Sequence, residues 1–232
     1  AGMLFTALVA LVVFFLIERN SPNPMINLLM FRNRQFSINL ITGLLVFVCM
    51  AGMTLLFPLY LQNVLQYGSG QTGLMLAVTP IFVSVVAPLS GALSDRTGSR
   101  PITTLGLLII VIGFIGVSSL SENTTTLGYL IRFVPVGIGI GLFQSPNNSA
   151  VMGSVSRDNL GVASSLLSLT RTLGQTTGIA VLSTVWENRV AFYNGGFLEF
   201  GATFSPIQAQ VAGLQDTVHL SIALLIMALS IS

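Results

Sequence analysis

The sequence predicts an all-α, polytopic membrane protein. Three observations carry that expectation. First, six long apolar runs stand at residues 36–57, 71–93, 102–120, 127–149, 161–186 and 214–232, with a partial one at 1–17. Each full run approaches the roughly 20 helical residues that cross a hydrocarbon core about 30 Å thick. Second, only 7% of residues are charged and the mean hydropathy is +0.87, where a soluble domain carries about 25% charge. Third, the runs are continuous. Barrel strands would be about 10 residues long and alternate apolar with polar side chains.

Taken in order, residues 1–17 read as part of a membrane helix and residues 18–35 as a connecting loop. That loop holds Pro22 and Pro24, then a stretch at 25–31 with the composition of a short interfacial helix. Residues 36–232 read as a six-helix bundle, with a loop at 58–70 after the first span. Most connections are short, so successive spans run antiparallel. The segment 187–213 is longer, rich in Gly, Phe and Gln, and has room for a surface helix or hairpin. Ala1 and Ser232 both stand inside apolar runs, which is the pattern of a piece of a longer chain.

The charges give an orientation. All nine basic residues are Arg. Arg19, Arg32 and Arg34 precede the first full span, Arg96 and Arg100 follow the second, and Arg157 follows the fourth. The alternate loops hold only Arg189. By the excess of basic residues in cytoplasmic loops, the Arg32, Arg96 and Arg157 loops face the cytoplasm of an inner or plasma membrane. Cys49, the single cysteine, lies in a span and reads as a small core residue. His219 beside Asp216 reads as interfacial. One His and one Cys make no metal site. With no Lys there is no phosphate-binding loop of an ATP-driven motor. No cofactor is expected, and no cluster of His, Cys or acids near one interface suggests an enzyme.

The loop between the second and third spans reads Gly91-Ala92-Leu93-Ser94-Asp95-Arg96-Thr97-Gly98-Ser99-Arg100-Pro101. Gly98 permits a tight reversal. Pro101 suits the first turn of the next helix, where its missing N–H matters least. Asp95 and Arg96 are placed to answer opposite helix ends. This pattern resembles the loop signature of the major facilitator superfamily. A second resemblance, to its drug:proton antiporter branch with fourteen spans, rests on Pro58-Leu59-Tyr60-Leu61-Gln62-Asn63-Val64-Leu65, then Tyr67, Gln71-Thr72-Gly73-Leu74 and Pro80. Leu29-Met30-Phe31-Arg32-Asn33-Arg34-Gln35-Phe36 also resembles that branch.

The resemblance implies that residues 1–17 end a linker transmembrane helix and that 36–232 are the C-terminal half of a transporter. The partner would be a missing N-terminal six-helix half. The implied activity is alternating-access export of drugs or amphipathic small molecules, coupled to protons. The implied cytoplasmic latch is Gly91, Asp95, Arg96, Gly98, Arg100 and Pro101. The fourth span, with Arg132 followed by Gly137, Gly139 and Gly141, is similar to the Arg-then-Gly fourth helix of the other half in this family. In the fifth span, Gly174-Gln175-Thr176-Thr177-Gly178 matches the antiporter glycine signature loosely, without its Gly-Pro pair.

Several polar residues are candidates for the transport path. Arg171 lies about 10 residues into the fifth span, near the midplane, where an Arg does not face lipid. It lines a path, pairs with a carboxylate outside this sequence, or staples helices. Gln175 is one turn away on the same face. Arg132 stands closer to its span's outer end, within reach of the interface. Gln144, Pro146, Asn147 and Asn148 suggest a polar, broken end to the fourth span, either a gate or ordinary termination. Gly137 with Gly141, and Gly174 with Gly178, suggest close helix packing. Asn39, Thr42, Met50, Met53, Thr54 and Thr79 are candidates to line an apolar pocket. No acidic residue stands deep in a span to carry protons. Rival readings are a single-metabolite exporter or uptake permease of the same superfamily, and a non-transporting membrane sensor.

Overall fold

The computed structural model describes residues 28–196 and 201–232. The expected linker helix at 1–17 and most of the loop at 18–35 lie outside the described residues. A 3₁₀ turn, Leu28–Arg32, leads into α1, Arg34–Leu59, which continues as a π-helical turn at Tyr60–Val64. Then come α2 (Ser69–Thr97), α3 (Ser99–Val117), α4 (Thr126–Gly153), α5 (Leu160–Tyr193) and α6 (Ile207–Ile231). No strand is present among the described residues.

Every helix but α3 is longer than its apolar run. The expected loop at 58–70 is helical through Val64, and α2 restarts at Ser69. Tyr60, Leu61 and Val64 are buried there, and the amide of Leu65 donates to the Tyr60 carbonyl at 3.1 Å. Likewise α5 runs past residue 186 to Tyr193, and α6 starts at Ile207 rather than 214. Between them the described residues hold a 3₁₀ turn at Ala202–Phe204. The expected broken end of α4 is absent, because the helix passes both Pro135 and Pro146 and ends at Gly153. Inside a bilayer a break would strand backbone groups where no water reaches them, so the helix continues.

Five helices are long and apolar enough to cross a membrane: Arg34–Val64, Ser69–Thr97, Ser99–Val117, Thr126–Gly153 and Ile207–Ile231. Leu160–Tyr193 is long enough at 34 residues but not among those five. The expectation of six equivalent apolar spans counted missing charges, and α5 is diluted by hydroxyls and amides instead.

Packing follows a simple scheme. α1 lies against α5 and α6, and α4 lies against α2 and α3. The two triads meet where α1 touches α4 and α3 touches α6. Exchanging the first three helices with the last three reproduces this contact pattern. That is the behaviour of a half built from two three-helix repeats of inverted topology. The core between the triads is apolar, with Leu56, Leu107, Ile110, Phe114, Leu182 and Leu225 fully buried. Outward, α3 exposes Leu105, Leu108, Ile112 and Ile115, a surface suited to acyl chains.

Asn33 ties one end together. Its side-chain oxygen accepts from the amides of Gln35 (3.0 Å) and Phe36 (3.4 Å), capping α1, while its nitrogen donates to the Ser154 carbonyl at 2.9 Å, beyond α4.

Candidate functional site

Helix α5 buries one narrow stripe. Gly174, Gly178, Leu182, Trp186 and Val190 are spaced four apart, and all are buried. A Cβ on Gly174 would stand 2.8 Å from the Phe47 Cβ, and one on Gly178 would strike the Val48 carbonyl, so both glycines face α1. The α4 pair faces α2 in the corresponding way. A Cβ on Gly137 would lie 2.9 Å from the Phe82 Cβ, and one on Gly141 would lie 2.8 Å from the Val86 Cβ. In both cases the missing side chain lets a neighbouring backbone approach.

With Gly174 and Gly178 turned to α1 and Trp186 and Val190 packed on α6, the middle of α5 is open on its other side. Arg171, Thr172, Gln175, Thr176 and Thr177 are all exposed. Arg171 sits eleven positions after Leu160, about 17 Å along the helix. Its guanidinium carbon lies 5.2 Å from the centroid of the Phe47 ring on α1, a cation–π arrangement. Among the described residues it has no acidic partner. Thr172 and Thr176 return their hydroxyls to the Ser168 carbonyl (3.0 Å) and the Thr172 carbonyl (2.8 Å). Arg171 and Gln175 are therefore brought onto one open face with their polar groups unengaged by any carboxylate.

Arg132 is placed elsewhere. Its Nε donates to the Gly116 carbonyl and the Ser119 hydroxyl, each at 3.0 Å, and its Nη1 donates to the Gly128 carbonyl at 2.8 Å. Gly116 is in the last turn of α3, where carbonyls lack helical partners and negative dipole accumulates. The cation thus joins α3 to α4. Gln144 is half-buried on α4. Asn147 is 2% exposed, its Nδ2 facing Gly43 of α1, and its Oδ1 has no hydrogen-bond partner.

The loop motif is compressed to a single non-helical residue. Gly98 has φ +88° and separates α2 from α3, its amide donating to the Ser94 carbonyl at 2.8 Å. Gly91 lies one helical turn from Asp95 in α2, and Pro101 falls in the first turn of α3. Asp95 and Arg96 are exposed in the last turns of α2 without an ion-pair partner among the described residues. Arg100 Nε donates to the Ser232 carbonyl at 3.1 Å.

Of the expected pocket residues, Met50, Met53, Thr54 and Thr79 line one cavity between α1, α2 and α4. Asn39 lines a different cavity with Arg34 and Arg100. Thr42 is buried and bonds back to the carbonyls of Ile38 and Asn39. The first cavity is also walled by Phe57, Tyr129 and Phe133. Sequence reasoning did not select these aromatics, because an aromatic in an apolar run reads as core.

At the far end, Asp216 joins α6 to α5. It accepts from the Tyr193 hydroxyl at 3.0 Å and lies 3.6 Å from Arg189 Nε. Because α6 begins early, this carboxylate stands in the helix's third turn rather than at its start. The hydrogen bond to Asp216 raises the Tyr193 phenol above its usual range, and the nearby carboxylate charge adds to this.

Long apolar helices around a polar face on α5 define an integral membrane bundle. The chain belongs to the Major Facilitator Superfamily, whose family model matches residues 1–179. It is 35% identical over 183 residues to the Multidrug resistance protein Stp of Mycobacterium tuberculosis, covering 79% of this chain and 34% of that protein. It is 32% identical to the uncharacterized transporter YebQ of Escherichia coli, covering 88% of this chain and 45% of that protein. It is 27% identical to the Riboflavin transporter RibZ of Clostridioides difficile, covering 82% and 42%. The chain spans less than half the length of each of these relatives.

Proposed function

We propose that this chain forms the C-terminal half of a secondary active transporter that exports amphipathic small molecules against proton entry. The observation that carries this reading is the exposed polar face of α5. An Arg at the centre of a membrane helix costs about 2.5–3.5 kcal/mol on insertion scales. A water-filled path, or a polar face on the other half, removes that cost. Lipid does not. Arg171 and Gln175 then line the path, with half-buried Gln144 contributing from α4, while Asn147, packed against Gly43, acts behind that wall. Arg132 acts one layer out, holding α3 to α4.

In this reading the N-terminal half supplies the facing wall, and the two halves rock about the shared path. The Arg32, Arg96 and Arg157 loops lie in the cytoplasm. Asp95, Arg96 and Arg100 engage the other half in one state of the cycle, around the turn shaped by Gly91, Gly98 and Pro101. The acid that carries the proton belongs to the other half. The multidrug name of Stp supports export of varied substrates. RibZ, named as a riboflavin transporter, favours a second reading in which a single metabolite is carried.

The test uses cells making the full-length protein and a fluorescent lipophilic cation. Efflux should collapse with a protonophore, and should fall to the level of cells lacking the protein in Arg171→Ala at equal membrane abundance. Efflux that persists without a proton gradient refutes the coupling. Unchanged efflux in Arg171→Ala removes that residue from the path. Absence of efflux alongside uptake of one metabolite selects the second reading.

A further inference from the structure

A cavity of about 390 Å³ opens at one end of the bundle, between the starts of α1 and α3 and the ends of α4 and α6. Arg34, Gln35, Ile38 and Asn39 line it from α1, and Arg100 and Thr103 from α3. No acidic side chain lines it. Among the described residues the Arg34 side chain makes no hydrogen bond or ion pair, and the side-chain amides of Gln35 and Asn39 are equally unengaged. Arg100 uses its Nε on the Ser232 carbonyl at 3.1 Å, and its terminal nitrogens have no partner among the described residues. Guanidinium groups only donate. Two like charges on one cavity repel each other, and no carboxylate there offsets them. A set of unpaired donors around two cations fits an anion.

Depth points to the source of that anion. α3 has 19 residues, about 28 Å of helix, and the hydrocarbon core is about 30 Å thick. Its two ends therefore stand at the two edges of the hydrocarbon, and Arg100 is its second residue. Arg34, the first residue of α1, lines the same cavity and so stands at the same level. Both cations are at the depth of lipid phosphates. The cavity also has an apolar exit. Ile231 lines it from α6 and is 37% exposed, and Met227, one turn deeper on the same face, is 44% exposed. Acyl chains can follow that surface. Basic pockets between membrane helices are suited to acidic headgroups, and a guanidinium matches a phosphate with two parallel hydrogen bonds.

We propose that this cavity seats the headgroup of one anionic phospholipid, with its phosphate held between Arg34 and Arg100. Gln35 and Asn39 donate to the remaining headgroup oxygens, and the acyl chains leave along Ile231 and Met227. A zwitterionic lipid is disfavoured, because its ammonium group meets two cations and no acid. The site is separate from the polar face of α5. Arg100 also belongs to the loop motif, so in the transport reading the headgroup and the other half compete for that side chain.

The test is native mass spectrometry of the purified full-length protein in detergent, titrated with dioleoyl phosphatidylglycerol or dioleoyl phosphatidylcholine. One phosphatidylglycerol should bind about thirtyfold more tightly than phosphatidylcholine, the scale of two arginines acting on an acidic lipid. Arg34→Gln and Arg100→Gln, on different helices, should each weaken phosphatidylglycerol about fivefold. The double variant should bind the two lipids alike. Arg32→Gln removes the same charge from an exposed residue that does not line the cavity, and should bind as the parent does. Arg34 and Arg100 are exposed, so melting temperatures in detergent alone should stay unchanged.

Unchanged phosphatidylglycerol affinity in Arg34→Gln overturns the proposal. So does equal weakening in Arg32→Gln, which reports only diffuse surface charge. Equal binding of phosphatidylcholine by the parent removes charge as the basis of the site. Displacement of the lipid by an equal concentration of inorganic phosphate or glycerol 3-phosphate means that the site takes a soluble anion, and the lipid assignment is then wrong. No flux is measured, so failure here leaves the transport reading standing, and failure of transport leaves the lipid site standing.

Discussion

Arg171 and Arg34 show what a single residue reveals in a membrane sequence. A charge in an apolar run has no cheap place in lipid, so the sequence alone singled out Arg171, and the structure leaves it on the exposed face of α5. Its contact with the Phe47 ring was not legible, because that depends on how α5 rotates against α1. Arg34 was legible only as a loop charge, because the cavity it shares with Arg100 depends on how α1 and α3 are brought together. Glycines divide in the same way. Gly98 stands at φ +88° with nothing within 4 Å of an added Cβ, whereas Gly178 has room for no side chain against the Val48 backbone. Gly98→Ala should cost about 1–3 kcal/mol through backbone strain alone, because φ +88° with ψ 154° is a conformation essentially confined to glycine. Gly178→Leu should cost at least the roughly 1–3 kcal/mol of an overpacked core, because backbone cannot step aside. Thermal melting of the purified full-length protein measures both, and a Gly178→Leu variant as stable as the parent removes the close approach of α1 and α5.

At the scale of the element, apolar runs located the helices but not their ends. Hydropathy falls where a helix leaves the hydrocarbon, yet hydrogen bonding carries the backbone further. α5 and α6 therefore extend beyond their runs. Pro146 misled in the same way, since a proline that ends helices in water is carried through by α4 in a packed bundle. Its cost remains, about 3 kcal/mol for a helix interior. Pro146→Ala should therefore raise the melting temperature, and a lower one would mean that the proline's shape is needed for packing on the neighbouring helices.

The far ends of α5 and α6 add a pH dependence. The Tyr193 phenol, raised by its bond to Asp216, has a folded-state pKa above the ordinary 10.0. Stability from that bond is complete below pH 10.0 and disappears as pH rises through the raised value. An alkaline melting series should show this loss in the parent and not in Tyr193→Phe; identical curves would mean that the bond contributes nothing.

For the whole molecule, the order of helices was readable, and so was the loop motif between the second and third. The pairing was not. Nothing in the runs states that α1 seats α5 while α4 seats α2, because close approach between helices depends on glycines whose facing depends on rotation. Each first helix of a triplet thus packs mainly on the triplet it does not belong to, and neither triplet is complete by itself.

That arrangement bears on how the chain is made. Helix α5 is the one helix of the six that falls short of the apolarity of a self-sufficient membrane span. Its seat, α1, leaves the ribosome well before it. Entry of α5 into the bilayer should therefore be assisted by a helix already delivered, with Gly174 and Gly178 closing against Phe47 and Val48. Placed alone as a test segment in a host membrane protein, α5 should cross poorly, and supplying α1 upstream should raise its crossing. Efficient crossing of α5 by itself would refute this. If it holds, a substitution on α1 that leaves the whole polar face of α5 unchanged can still prevent the protein from being assembled, by leaving α5 outside the membrane during synthesis.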